Sequence, residues 1–248
     1  MGLKSLYHYT EISVKDVYEG GTKLQLYQME IKRIDAGMRI TYSNQANISY
    51  ISIDFSGYCK IYDKQEEVCS QFQTVASVAF NEQYGIPLSL DGTQMYVGNW
   101  EKGLFCYRTL DGKFLWKKGP GRVRRILIKD NYLITEMCGR GIYKRDSTTG
   151  ELLSEFKISF CDEMLYLGND SILVDPKRGY YRILKIPELE LIQQIHWSLL
   201  NPNECLSFCI LDAWFIDCYL VIEGWERNKN RNPEDEETSH FKRKIKIE

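Results

Sequence analysis

Six of the chain's 18 glycines recur at a loose interval, and each opens a short segment rich in strand-forming residues. They are Gly21 in GTKLQLYQMEI, Gly57 in GYCKIYDKQEE, Gly103 in GLFCYRTLDGK, Gly141 in GIYKRDSTTGE, Gly179 in GYYRILKIPELE and Gly224 in GWERNKN. Their separations are 36, 46, 38, 38 and 45 residues. In two units a further glycine stands nine residues after the anchor, at Gly112 and Gly150, and Glu188 holds that offset after Gly179. Asp111-Gly112 in YRTLDGKFLWKKG reads as the turn of a hairpin with an aromatic-rich returning strand. A recurrence near 40 residues constrains the fold strongly. One small antiparallel unit cannot hide both of its faces, so successive units must stack and bury one another.

Each anchor is preceded by another strand pattern: ISYISI (48–53), TQMYVGNW (93–100), YLITEMC (132–138) and SILVD (171–175). Upstream of these come inner-strand candidates, VRRILI (123–128), EMLYLG (163–168) and AWFIDCYLVI (213–222). Four strands per unit and no amphipathic helix of ten residues or more predict an all-β fold. The expected architecture is a β-propeller of about six four-stranded blades, with five or seven as alternatives, forming a single domain over residues 1–248. The stretch NKNRNPEDEETS holds no apolar residue and predicts a flexible charged loop over about 228–239. The terminal FKRKIKIE alternates apolar and basic residues, as a strand with one solvated face does, and is expected to complete the last blade and help close the ring.

YRTLDGKFLW and YKRDSTTGELL resemble the repeat of quinoprotein-type (PQQ-like) propellers, in which a strand leads into an Asp-x-x-Thr-Gly-like turn and then a Trp or Leu strand. The resemblance covers about residues 90–160. It extends to WD-repeat (WD40-like) propellers at the level of architecture, although the Trp-Asp and Gly-His signatures are absent. It implies a fold rather than an activity. The cofactor positions of quinoprotein dehydrogenases have no counterparts in this sequence, so no cofactor is expected. Trp116 is then an inter-blade packing residue rather than a redox platform.

Composition narrows the chemistry. With 44% hydrophobic and 27% charged residues over 248 positions, the chain reads as a globular protein with a sizeable core. No apolar run suits a signal peptide or a membrane span, and Leu6 spoils a near match to a myristoylation signal. Eight cysteines with no C-x-x-C pair argue for small, reduced, buried thiols in a cytoplasmic setting. The three histidines, His8, His196 and His240, offer no metal spacing, and His240 falls in the polar insertion. Nucleophile-elbow, zincin and phosphate-loop motifs are lacking. No metal site is therefore assigned. The competing reading is a metal-dependent hydrolase or lactonase with a carboxylate site at the propeller axis, for which Glu136, Asp162 and Glu163 are the available acids.

The densest charge follows the hairpin, in KKGPGRVRR: Lys117, Lys118, Arg122, Arg124 and Arg125, with Arg140, Lys144 and Arg145 one hairpin later. The Pro120-Gly121 loop joins one blade's outer strand to the next blade's inner strand, which puts these cations near one rim. Trp100 is expected at a strand end beside them, and Tyr7, Tyr9, Tyr84 and Trp225 are further exposed-aromatic candidates. A net charge of −2 disfavours nucleic acid as the partner. The sequence reading is a non-enzymatic protein-interaction module that presents Trp100 and the 117–125 basic cluster to an acidic protein. A composition rich in Ile, Tyr, Lys and Asn and poor in Ala suits an AT-rich, bacterial genome, and in that setting an immunity or inhibitor protein is a specific form of the binding reading.

Overall fold

The computed structural model describes residues 29–34, 37–42, 45, 47–76, 78, 86–158, 161–168, 170–176, 179–186, 188–200, 207–227 and 238–246. Most of them lie in antiparallel strands. Sheet 1 runs in the order β1 (Met29–Ile34), β2 (Gly37–Tyr42), β3 (Tyr50–Asp54), β4 (Tyr58–Tyr62) and β5 (Val68–Gln73). Sheet 2 holds β6 (Gln94–Asn99), β7 (Gly103–Arg108) and β8 (Phe114–Lys118), and isolated bridges attach Val78 and Leu88 to β6. Sheet 3 holds β9 (Val123–Lys129), β10 (Tyr132–Met137), β11 (Gly141–Asp146) and β12 (Leu152–Lys157). Sheet 4 holds β13 (Cys161–Gly168), β14 (Ser171–Pro176), β15 (Tyr180–Lys185) and β16 (Glu190–His196). After the four-residue helix α1 (Trp197–Leu200), sheet 5 holds β17 (Ser207–Ile216), β18 (Tyr219–Arg227) and β19 (Thr238–Lys246). No helix among the described residues is long and apolar enough to cross a membrane.

The repeat glycines have a steric cause. Gly103 sits at φ 99°, and a Cβ there would collide with the Lys118 carbonyl on the neighbouring outer strand. Gly141 faces Phe156, and Gly57 faces Val75, in the same way. Only a residue without a Cβ lets these strands, β4, β7 and β11, begin at that angle. The turn glycine nine residues on closes the hairpin in both units. The amides of Gly112 and Gly150 donate to the Arg108 and Asp146 carbonyls, each at 2.9 Å. Asp146 holds its turn through Oδ1, which accepts from the amides of Thr148 (2.9 Å) and Thr149 (2.7 Å). In sheet 1 the offset falls on Glu66, which takes a positive φ without being glycine.

Four apolar clusters join consecutive sheets. Ile51, Ile53 and Ile61 of sheet 1 meet Met95 and Val97 of sheet 2. Leu104 and Tyr96 of sheet 2 meet Val123, Ile126 and Leu133 of sheet 3. Leu127 and Ile134 meet Ile172 and Val174 of sheet 4, and Leu173 and Ile183 meet Ala213, Leu220 and Ile222 of sheet 5. Strand period 2 is thus used on both faces of the inner sheets, which explains their almost unbroken apolar runs.

Trp116 is the staple between sheets 2 and 3. Its Nε1 donates to the Thr148 carbonyl at 2.7 Å, and a Cβ on Gly150 would stand 2.8 Å from its ring. Phe72 of β5 lies against Gly112 in the same manner, one sheet earlier.

Several expectations need correction. The run AWFIDCYLVI is not one inner strand but the end of β17, a turn at Asp217-Cys218, and the start of β18. Gly224 consequently lies inside β18, paired with Ile210, rather than opening a strand. His240 is a strand residue, not a loop residue, and β19 already begins at Thr238; Trp225 lies within β18 and is exposed, as expected. The rest of the charged loop, 228–237, and the unit expected around Gly21 lie outside the described residues, as do Tyr7, Tyr9 and Tyr84. The described residues form five sheets, one of the alternatives expected beside six blades. The thiols divide: Cys59 and Cys106 are buried, whereas Cys69 and Cys218 are exposed.

Candidate functional site: a basic, aromatic rim between sheets 2 and 3

The connection from β8 to β9 is a backbone-clamped strap. On one side it touches the β6–β7 turn, where the Gly121 amide donates to the Glu101 carbonyl at 2.9 Å and Lys102 pairs with Gly121 in a parallel bridge. On the other side the Cys138 amide of the β10–β11 turn donates to the Arg122 carbonyl at 3.0 Å. The strap is therefore fixed to both neighbouring hairpins at the same end of the sheets. Asn99, buried at the end of β6, shapes the first of these turns. Its Oδ1 accepts from the amides of Glu101 (2.8 Å) and Lys102 (2.7 Å), and its Nδ2 donates to the Ala76 carbonyl at 2.6 Å.

This scaffold presents Trp100, 41% exposed, at the tip of its turn. The Arg122 guanidinium lies 3.7 Å from the Trp100 ring centroid, in cation–π contact. Lys102, Pro120 and Arg140 are exposed around this pair, with the Arg140 guanidinium close to Gly121. Glu101 is the acidic residue in the turn itself. The patch offers a planar aromatic and cations on a rigid backbone, a combination suited to carboxylates on another macromolecule.

The predicted cluster is divided by strand geometry. Arg122 and Trp100 come together as expected. Lys117 stays on the outer strand, exposed, with its ammonium 5.4 Å from the Phe105 ring centroid. Lys118 lies with its aliphatic stem against Gly150 of the next sheet. Arg125 turns onto the face shared with sheet 4, where its Nη1 bonds Glu136 Oε2 at 2.9 Å and the Glu136 side chain is wholly buried. The Arg124 side chain lies outside the described residues. Lys144 is half-buried over Tyr132, and Arg145 is buried, donating to the Gly150 carbonyl at 3.2 Å. Burial pulls the Arg145 guanidinium below its ordinary value. Sequence reasoning missed Asn99 and undervalued Lys102. The available signal was an Asn-x-x-x-Gly turn directly around Trp100.

Of the acids considered for a metal site, Glu136 is committed to Arg125. The side chains of Asp162 and Glu163 lie outside the described residues. Among the described residues no three His, Cys, Asp or Glu side chains converge in a metal-ligating group. His240 instead approaches Glu223, Nε2 to Oε1 at 2.8 Å.

Solved structures share this arrangement of stacked sheets. BamB from Moraxella catarrhalis, a PQQ-like propeller, is similar over 81% of this chain and 57% of its own, with TM-score 0.53 and 14% identity. The WD40 β-propeller domain of Doa1 is similar over 73% of this chain and 58% of its own, with TM-score 0.50 and 17% identity. The fold is a β-propeller. The computationally designed Ika8 protein also superimposes, over 79% of this chain and 64% of its own, with TM-score 0.57 and 12% identity. The chain thus spans 57–64% of the length of these three propellers. No protein-family model matches the sequence. No curated protein sequence matches it either.

Proposed function

We propose that this propeller works without catalysis as a protein-interaction module whose rim between sheets 2 and 3 docks an acidic surface of a protein partner. The observation that carries the reading is the Arg122–Trp100 stack at 3.7 Å, set on a strap hydrogen-bonded to both adjacent hairpins. A platform already ordered in the free protein avoids most of the cost of loop ordering on binding. Arg and Trp are the side chains that most often dominate interface energy. Lys102 and Arg140 extend the positive surface around them and would steer an acidic partner. The similar propellers support the reading at the level of fold. In its narrowest form the module is a bacterial immunity-type inhibitor that covers an acidic region of a cognate effector.

The test is native purification of tagged protein beside R122E/R140E and W100A variants, each first shown to melt like the parent. We expect a stoichiometric partner with the parent, its loss with R122E/R140E, and an affinity at least about tenfold weaker with W100A. Unchanged capture by R122E/R140E would remove the rim from the account.

A further inference from the structure

The outward face of sheet 5 sets a row of basic side chains beside aromatic rings. Ile210, Ala213, Leu220, Ile222 and Phe241 pack toward sheet 4. On the opposite face, cross-strand register lines up His240 with Trp225, Lys242 with Glu223, Lys244 with Val221 and Lys246 with Tyr219. His240, Lys242, Lys244 and Lys246 are all exposed, so the edge strand presents basic groups at every second residue. Alternate residues on a strand stand about 6.8 Å apart, giving a regular linear row.

Beside that row stand three aromatic rings. Trp225 is 41% exposed and meets His240 edge-on, with ring centroids 5.1 Å apart. Lys244 holds its ammonium 4.3 Å from the Tyr219 ring centroid, and Lys242 reaches across β18 to within 5.0 Å of the Trp214 ring centroid. Among the described residues two acids lie on this face: Glu223, across from Lys242 and paired with His240, and Asp212 on β17, two strands away from the lysines. The positive charge is therefore concentrated along one edge, with rings behind it.

We infer that this face is a binding platform for single-stranded nucleic acid, with phosphates along Lys242, Lys244 and Lys246 and bases stacked on Trp225 and Tyr219. A flat sheet face with rings beside a cationic track is a sequence-tolerant solution to holding a single strand. An acidic peptide would satisfy the lysines but would give the rings no stacking partner. The net charge of −2 speaks against a global basic field, and this platform needs none. The inference is independent of the rim.

Fluorescence anisotropy with labelled 12-nucleotide oligo-dT and oligo-U probes tests it, with a poly-glutamate peptide of matched charge alongside. We expect saturable binding with a Kd of about 10 µM or tighter in low salt. Three phosphate contacts imply a log–log salt slope of about −2. K244E/K246E should weaken binding at least tenfold and flatten that slope. W225A should weaken binding about tenfold and leave the slope unchanged. R122E/R140E should bind the probes like the parent. Lys244, Lys246, Trp225 and Arg140 are exposed and Arg122 is half-buried, and circular dichroism and melting confirm that each variant folds. The inference is overturned by the absence of saturable binding, by K244E/K246E and W225A binding like the parent, or by poly-glutamate binding as tightly as the oligonucleotides.

Discussion

If Trp116 is the staple between sheets 2 and 3, then Trp116 and Gly150 should be energetically coupled. Trp116→Ala removes the 2.7 Å bond to the Thr148 carbonyl and the ring that covers Gly150. A net hydrogen bond is worth about 1 kcal/mol. Because Trp116 is half-buried, its packing loss should fall below the roughly 3–5 kcal/mol of a fully buried Trp. The expected destabilisation is about 2–3 kcal/mol. Gly150→Ala places a Cβ 2.8 Å from the Trp116 ring and 2.9 Å from the Lys118 stem, at φ 69°. The backbone alone costs about 1–2 kcal/mol there. In the double variant the ring clash is gone, so the two losses should sum to less than the separate values by about 1 kcal/mol. Urea unfolding of the four proteins, read as midpoint shifts at constant m, measures this directly. Additivity within about 0.3 kcal/mol would refute the staple.

Other expectations follow from the same geometry. Removing Glu136 alone breaks a buried ion pair on the inter-sheet face and should cost about 3–5 kcal/mol, whereas R125M/E136L together should cost much less, as thermal melts would show. Burial pushes the Cys59 and Cys106 thiols and the Tyr132 hydroxyl up to about 12, from ordinary values of 9.0 and 10.0. The fold favours their neutral forms, so this stabilisation is complete below pH 9 and is lost as pH rises toward 12. The urea midpoint should therefore fall over that window, and a flat profile would count against the burial. In maleimide labelling at neutral pH, Cys218 should react in the native protein, while Cys59 and Cys106 should react only after unfolding.

The architecture was legible because its period rests on sterics. Gly103 and Gly141 cannot carry a Cβ against the outer-strand carbonyls, so glycine recurs where β7 and β11 begin. The last unit was misread because its turn is made by Asp217 at φ 53°, without a glycine to interrupt the apolar run around it. The rim was half legible. Neighbours on a strand point to opposite faces, so a contiguous run of cations cannot remain one patch. Arg122, in the strap, reached the rim, whereas Arg125, in β9, turned inward to Glu136. The sheet 5 face was obscured for a related reason: its rings and lysines are close only once β17, β18 and β19 are in register.

In the proposed function the rim between sheets 2 and 3 touches the partner. The most direct test of that contact is site-specific photo-crosslinking with benzoylphenylalanine in place of Trp100, with Phe114 on the outer strand, also exposed, as the comparison position. A crosslinked partner is expected from position 100, joined through an acidic peptide identified by mass spectrometry, and none from position 114. Crosslinks from position 114 with none from position 100 would contradict it.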